Sequence, residues 1–319
     1  MLNGQKIITI EEHYWDRDLS ARYQGVESFR DAEINKRLFD LGELRLREMD
    51  ESGIDLQIIS HGAPSTQKLP ADIAAEVARG VNDRLAAAIA LHPTRFRGFA
   101  ALPTPAPEAA ADELERCVRE HGFVGAMIHG LTNEKFLDDK MFRPIFARAA
   151  ALDVPIYLHP AVPHPAVMDA YYKDYMQDFP MVIRAAWGFT VETATMAIRL
   201  ILSGIFDEHP NLRIVIGHMG ETLPFLLWRI NQALSRPGNK SNSFRDIFCK
   251  HFWITTSGNF SNPALICSMM ELGIDRILFA IDWPFVPNPP GVEWIKGTPI
   301  CAEDRAKVLH GNAERLFRL

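Results

Sequence analysis

The sequence predicts an α/β protein folded as a single TIM-like (β/α)8 barrel with elaborated rim loops and a C-terminal helix. Eight short apolar, β-branched runs recur along the 319 residues, and amphipathic stretches of helical period separate them. Eight strands, each followed by a helix, is the arithmetic of that barrel. A third observation is an absence: no run leads into a GxGxxG or GxxxxGKS/T loop, which disfavours the runner-up, a doubly wound open sheet.

In chain order the strands are read at 6–10 (KIITI), 55–60 (DLQIIS), 97–102 (RGFAAL), 124–129 (VGAMIH), 154–159 (VPIYLH), 212–218 (LRIVIGH), 252–257 (FWITTS) and 276–282 (RILFAID). LRLREMDESG, ADIAAEVARGVNDRLAAAIALHP and EAAADELERCVREHG precede strands two, three and four as helices, and two of them close on Gly, the residue suited to a left-handed C-cap. Further helices are placed near 140–152, 191–207, 221–235, 262–272 and 302–317. Three connections, 14–43, 160–190 and 283–300, exceed the usual length. All three leave carboxyl ends of strands, the face on which barrels build active sites. Being rich in aromatic residues and Pro, they are read as ordered walls of a pocket. The eight-strand count favours a single elaborated barrel domain over residues 1–319, with the extra length in the three rim loops and the C-terminal helix.

Apolar residues make up 47% and charged residues 23%, which excludes wholesale disorder and fibrous repeats. Lys and Arg number 34 against 40 Asp and Glu, a net charge of -6, so a dedicated nucleic-acid binder is excluded and a small substrate expected. No apolar run approaches the roughly 18 residues of a membrane span, and the first residues lack the pattern of a signal peptide. A cytoplasmic enzyme is the expectation. Cys117, Cys249, Cys267 and Cys301 are far apart, which suggests neither a disulfide framework nor a thiolate zinc site.

The chemistry gathers at strand ends. Glu11 and His13 follow strand one, His159 ends strand five, His218 ends strand six and Asp282 ends strand eight, so five candidate ligands share one rim. Glu11 and His13 are two apart on an extended segment and leave the same face. Nitrogen and carboxylate donors without a thiolate suit one divalent ion, Zn²⁺ or Mn²⁺. Strand four ends in MIHG, without a lysine to bridge a second metal. His61 and His129 end strands two and four, where substrate contact and a structural hydrogen bond are both open readings. Tyr14, Trp15, Trp187 and Phe189 can stack on an aromatic ring or serve as wall packing.

The words IEEH (10–13), YLHP (157–160), SGIFDEHPNLRIVIGHMGE (203–221), LPFLLWRI (223–230) and FAIDWPF (279–285) resemble the amidohydrolase superfamily over nearly the whole chain. The resemblance is to its amidohydrolase-related branch, which contains aminocarboxymuconate-semialdehyde decarboxylase and the dihydroxybenzoate decarboxylases. Hydrolases of the superfamily usually open with HxH; Glu11 in the first position is similar to the γ-resorcylate decarboxylases. The resemblance implies that Glu11, His13, His159 and Asp282 hold the metal, that His218 with Glu221 assists, and that Arg229 anchors the substrate. It departs from the pattern at SHGAPSTQ, where His61 replaces a small or amide residue and becomes a candidate substrate contact alongside Trp187 and Phe189.

The expected reaction is non-oxidative decarboxylation of an ortho-hydroxylated benzoate, with Asp282 as proton donor. No lysine sits in a pyridoxal or thiamine context, so no organic cofactor is expected. The alternative is a metal-dependent hydrolase of an ester, amide or lactone, with Asp282 as general base. A small aromatic carboxylic acid is the expected partner, with neither nucleic acid nor membrane. The resemblance further implies a homodimer or homotetramer, with 160–190 as a candidate interface.

Overall fold

The computed structural model describes residues 4–23, 31–234 and 243–319. Its strands are β1 (Ile8–Tyr14), β2 (Leu56–His61), β3 (Phe96–Gly98), β4 (Ala100–Ala101), β5 (Ala126–His129), β6 (Ile156–His159), β7 (Ile214–Ile216), β8 (Phe252–Thr255) and β9 (Ile277–Leu278). Every pairing is parallel and between chain neighbours, in the orders β1-β2-β3 and β4 to β9. β3 and β4 are one stave interrupted at Phe99: Phe99 N donates to Ile59 O at 2.9 Å, while Ala100 N donates to Gly125 O at 2.9 Å. The staves therefore number eight, as the sequence predicts. The first and last meet where His13 N donates to Trp283 O at 2.7 Å.

Helices return the chain from stave to stave, as parallel pairing demands. The three expected before staves two to four are Glu43–Ser52, Ala71–Leu91 and Pro107–His121. Pro107 stands in the first turn of the last of these, and Gly122 closes it at φ +68°. Arg143–Leu152, Leu223–Leu234 and Asn262–Leu272 lie where the periodicity puts them, residue 235 being outside the described residues. The 191–207 pattern forms Gly188–Leu202 and Ile205–Glu208, parted by Gly204 in a left-handed conformation. Phe244–His251 is a helix that the pattern reading omits. The long connections hold short helices, among them Ala32–Leu38, Pro180–Ile183 and Asn288–Gly297; residues 24–30 of the first connection lie outside the described residues. Among the described residues, no helix is long and apolar enough to cross a membrane.

Inside the barrel Ile8, Ile10, Ile58, Met127, Tyr157, Val215 and Leu278 pack together, and Leu316 and Phe317 of the terminal helix join them. A larger core fills the layer between staves and helices. Each such aliphatic or aromatic side chain contributes about 1.5–3 kcal/mol on burial.

One irregularity decides what the mouth contains. In β1, Thr9 pairs with Gln57, but Glu12 pairs with Ile59, so β1 carries one extra residue over that interval. Strict alternation from Ile8 and Ile10 would have aimed Glu12 and Tyr14 inward. The bulge shifts the parity, so that Glu11 and His13 share the interior with Ile8 and Ile10.

Candidate metal centre

Glu11, His13, His159 and Asp282 converge, each offering one ligand atom, and these atoms all lie within 4.8 Å of one another. His13 Nε2 stands 3.2 Å from Asp282 Oδ1, and His159 Nε2 stands 3.3 Å from Glu11 Oε1. Glu11 Oε1, His13 Nε2 and Asp282 Oδ1 are buried without a hydrogen-bond partner. Stranding three such atoms on charged or polar groups is costly unless something satisfies them together. A divalent cation does so, and two imidazole nitrogens with two carboxylate oxygens form a donor set it accepts.

The outward-facing atoms of the same side chains are tied down. Glu11 Oε2 accepts from the hydroxyls of Tyr157 and Ser257, and from Thr255 Oγ1 at 3.1 Å. Gly217 gives that carboxylate room, since a Cβ there would sit 2.9 Å from Oε2. Ser60 Oγ engages His13 Nδ1 at 3.1 Å. His159 Nδ1 lies 2.7 Å from Pro160 O, which can only accept, so the proton is on Nδ1 and Nε2 keeps its lone pair for the centre. His129 supports this arrangement: its Nε2–H donates to His61 O at 2.7 Å, leaving its Nδ1 as acceptor 2.9 Å from His159 Nδ1. Burial, and then its histidine neighbours, push His129 well below the usual imidazole range and keep it neutral.

His218 and Glu221 occupy a tight turn, His218–Glu221, that follows β7. His218, Met219, Gly220, Glu221 and Thr222 all have positive φ, a run whose non-glycine members cost about 1–3 kcal/mol each and persist only under firm packing. Met219 and Glu221 are accordingly buried. His218 Nδ1 meets Glu221 Oε1 at 2.6 Å, while its Nε2 lies 3.6 Å from Glu11 Oε1 and 3.9 Å from Asp282 Oδ2. Burial alone would lower the His218 pKa, but the charges of Glu221 and Glu11 outweigh it and hold the ring protonated well above its usual range. Burial would likewise raise the Asp282 and Glu11 carboxyls. The close approach of His13 and His218 lowers the first, and the charge of His218 with the nearby imidazole of His159 lowers the second.

The centre opens into a groove of about 980 Å³. His218 and Asp282 line one part of it, and Trp187, Phe189, Phe225 and Val286 supply apolar wall, so two of the four aromatic residues read from the sequence, Trp187 and Phe189, lie in the groove.

Two expected substrate contacts are placed elsewhere. His61 pairs in register with Tyr14, and their rings meet edge-on at 5.3 Å; Tyr14 reaches out to Val81 O on the helix Ala71–Leu91. Alternation along β2 therefore turns Ser60 toward His13 and His61 into the outer layer. Arg229 is exposed, because its helix buries Leu223, Pro224 and Leu227 and carries position 229 round to the opposite face. Neither residue lines the groove. Tyr14 and Trp15 are also wall packing, Trp15 lying edge-on to Phe39 at 6.2 Å.

The residue that sequence reasoning missed is Glu12. Its carboxylate accepts from Ile281 N at 3.0 Å and Trp283 N at 2.9 Å, on either side of Asp282. Burial raises its pKa to about 7 against the pull of those two bonds. The only signal in the sequence was the doubled Glu of IEEH.

A family model described as Amidohydrolase matches residues 10–319. Gamma-resorcylate decarboxylase of Rhizobium sp. (strain MTP-10005) is 43% identical over 299 residues, 90% of each chain. The crystal structure of dihydroxybenzoic acid decarboxylase from Polaromonas sp. JS666, with bound manganese and the inhibitor 2-nitroresorcinol, superposes with a TM-score of 0.89 at 40% identity, covering 99% of this chain and 97% of that one. 5-Carboxyvanillate decarboxylase of Sphingomonas paucimobilis gives a TM-score of 0.91 at 33% identity, covering 99% and 100%.

Proposed function

The chain belongs to the amidohydrolase family, and on that premise we propose that it is a metal-dependent, non-oxidative decarboxylase of an ortho-hydroxylated benzoate of the γ-resorcylate type. The observation that carries this reading is the cluster Glu11, His13, His159 and Asp282, with orphaned ligand atoms turned inward and the His218–Glu221 pair at its edge. Relatives across the chain's full length are decarboxylases of hydroxylated aromatic acids, which favours carbon–carbon cleavage over the hydrolase alternative. Manganese is the preferred ion, since a related structure holds it. We take residues 1–319 to form one catalytic domain.

In the proposed mechanism those four residues would hold the ion, which when bound would supply positive charge that stabilises the anionic substrate. Trp187 and Phe189 offer the ring apolar surface. Electron density from the ortho oxygen makes the carboxyl-bearing carbon basic enough to take a proton. That step breaks aromaticity, and loss of CO₂ restores it. His218 is the resting proton store, held at Nδ1 by Glu221 and facing Asp282 Oδ2 through Nε2. Asp282 takes that proton and delivers it to the ring, so the carboxylate ionised at rest becomes the general acid of the reaction.

Phe225, Trp228 and Met270 are 81%, 71% and 80% exposed. Apolar residues left this open support a homodimer or homotetramer. Arg229 is exposed on the same helix as Phe225 and Trp228 and forms no ion pair among the described residues, and we propose that it anchors the substrate bound by a docked second copy.

The reading is tested by loading purified protein with Mn²⁺ and measuring CO₂ release from 2,6-dihydroxybenzoate and other ortho-hydroxybenzoates beside a set of chromogenic esters. Ester hydrolysis without CO₂ release would refute it.

A further inference from the structure

Behind the centre lie a carboxylate and a guanidinium that are not ligand candidates. Among the described residues no strand ladder joins β1 to β9. The seam is spanned by His13 N donating to Trp283 O, and by the Glu12 carboxylate receiving the two N–H groups that flank Asp282. Arg45 is fully buried: it donates to His13 O at 2.5 Å and Gln57 Oε1 at 3.1 Å, and its guanidinium lies 4.0 Å over the Trp283 ring. Trp283 is fixed in turn by Glu48 Oε2, which accepts from its indole N–H at 2.8 Å. Both charged residues thus touch both sides of the seam, one side carrying His13 and the other Asp282.

We propose that Glu12 and Arg45 are positioning residues that form a brace across the seam, holding His13 and Asp282 at ligand spacing. The inference rests on the metal reading above. Asp282 itself sits at φ +76°, a conformation that a non-glycine residue keeps only when its surroundings impose it. Two N–H groups aimed at one side chain need two acceptor oxygens. A carboxylate has them, whereas a carboxamide has one and turns an N–H₂ against the second donor. For Arg45, the planar fork and its ring stacking are what an ammonium cannot reproduce. The bulge in β1 makes the brace possible, because it turns Glu12 away from the interior while Glu11 and His13 stay in it.

The test is an Mn²⁺ titration of metal-free full-length protein, read from the EPR signal of free Mn²⁺ and the spectrum of the bound ion, well below the unfolding temperature. Glu12→Gln and Arg45→Lys are each expected to weaken Mn²⁺ binding about 10–100-fold and to alter the bound spectrum. Glu113→Gln is the control for a structural effect: this buried carboxylate binds Asn82 and Arg116 in the helical layer, and its loss should lower Tm with Mn²⁺ affinity unchanged. Where Glu12→Gln yields no folded protein, Arg45→Lys decides. Variants that bind Mn²⁺ within twofold of wild type, with the same spectrum, overturn the brace. A wild type that takes up no Mn²⁺ overturns the metal reading instead, and the brace with it.

Discussion

Asp282→Asn separates the two duties assigned to one side chain. The amide keeps an oxygen for the ion, and Glu11, His13 and His159 are untouched, so Mn²⁺ content after loading should stay near one per chain. The amide nitrogen cannot accept the proton that His218 Nε2 presents from 3.9 Å in the wild type. A general acid contributes about 10²–10⁴-fold to rate, and at roughly 1.4 kcal/mol per factor of ten its loss raises the barrier by about 3–5 kcal/mol. The assay follows loss of the benzoate's ultraviolet absorbance under saturating substrate, with metal measured on the same sample. A manganese-loaded Asn variant with kcat within tenfold of wild type would refute Asp282 as proton donor.

Four further outcomes are expected. Tyr157→Phe removes one hydroxyl from Glu11 Oε2 and should weaken Mn²⁺ binding about 10–100-fold in a competition titration with a chelator. Gly217→Ala puts a methyl group 2.9 Å from that oxygen; it should displace Glu11 and reduce metal content at equal protein concentration. Glu221→Gln deletes the charge that keeps His218 protonated, so the basic limb of the pH–kcat profile should move to lower pH, and an unmoved limb would contradict the proton store. His61→Gln should leave KM within about twofold. It should also change acid stability: burial depresses His61 from 6.5 to about 4, so the unfolded state binds the extra proton and wild-type stability falls as pH drops from about 6.5 to about 4. That loss, up to about 3 kcal/mol, should vanish from denaturant melts of the variant.

Much of the site was legible because its donors sit at strand ends, and in a parallel barrel all carboxyl ends emerge on one face. The order of the runs therefore suffices to place Glu11, His13, His159, His218 and Asp282 on a common rim. Helix faces were less legible. Nothing in LPFLLWRI states which stripe packs inward, and the burial of Leu223, Pro224 and Leu227 is what sends Arg229 to the surface. The strand reading also ran long at the last stave, where β9 is only Ile277–Leu278. Beyond it the chain bonds to the terminal helix and to Thr256 instead of continuing a ladder, as in Phe279 N to Val308 O at 3.0 Å.

By itself, then, the sequence determined the fold class and a donor set suited to a divalent ion, because these follow from residue types and local periodicity. Tertiary structure decided parity and support. A side chain's face on a strand depends on pairing register, and one extra residue in β1 put Glu11 and His13 inside while sending Glu12 to the seam. The same parity chose Ser60 over His61 as the partner of His13. No local pattern encodes a bulge of this kind. It exists only when two strands distant in sequence are laid side by side and their hydrogen bonds must be satisfied together.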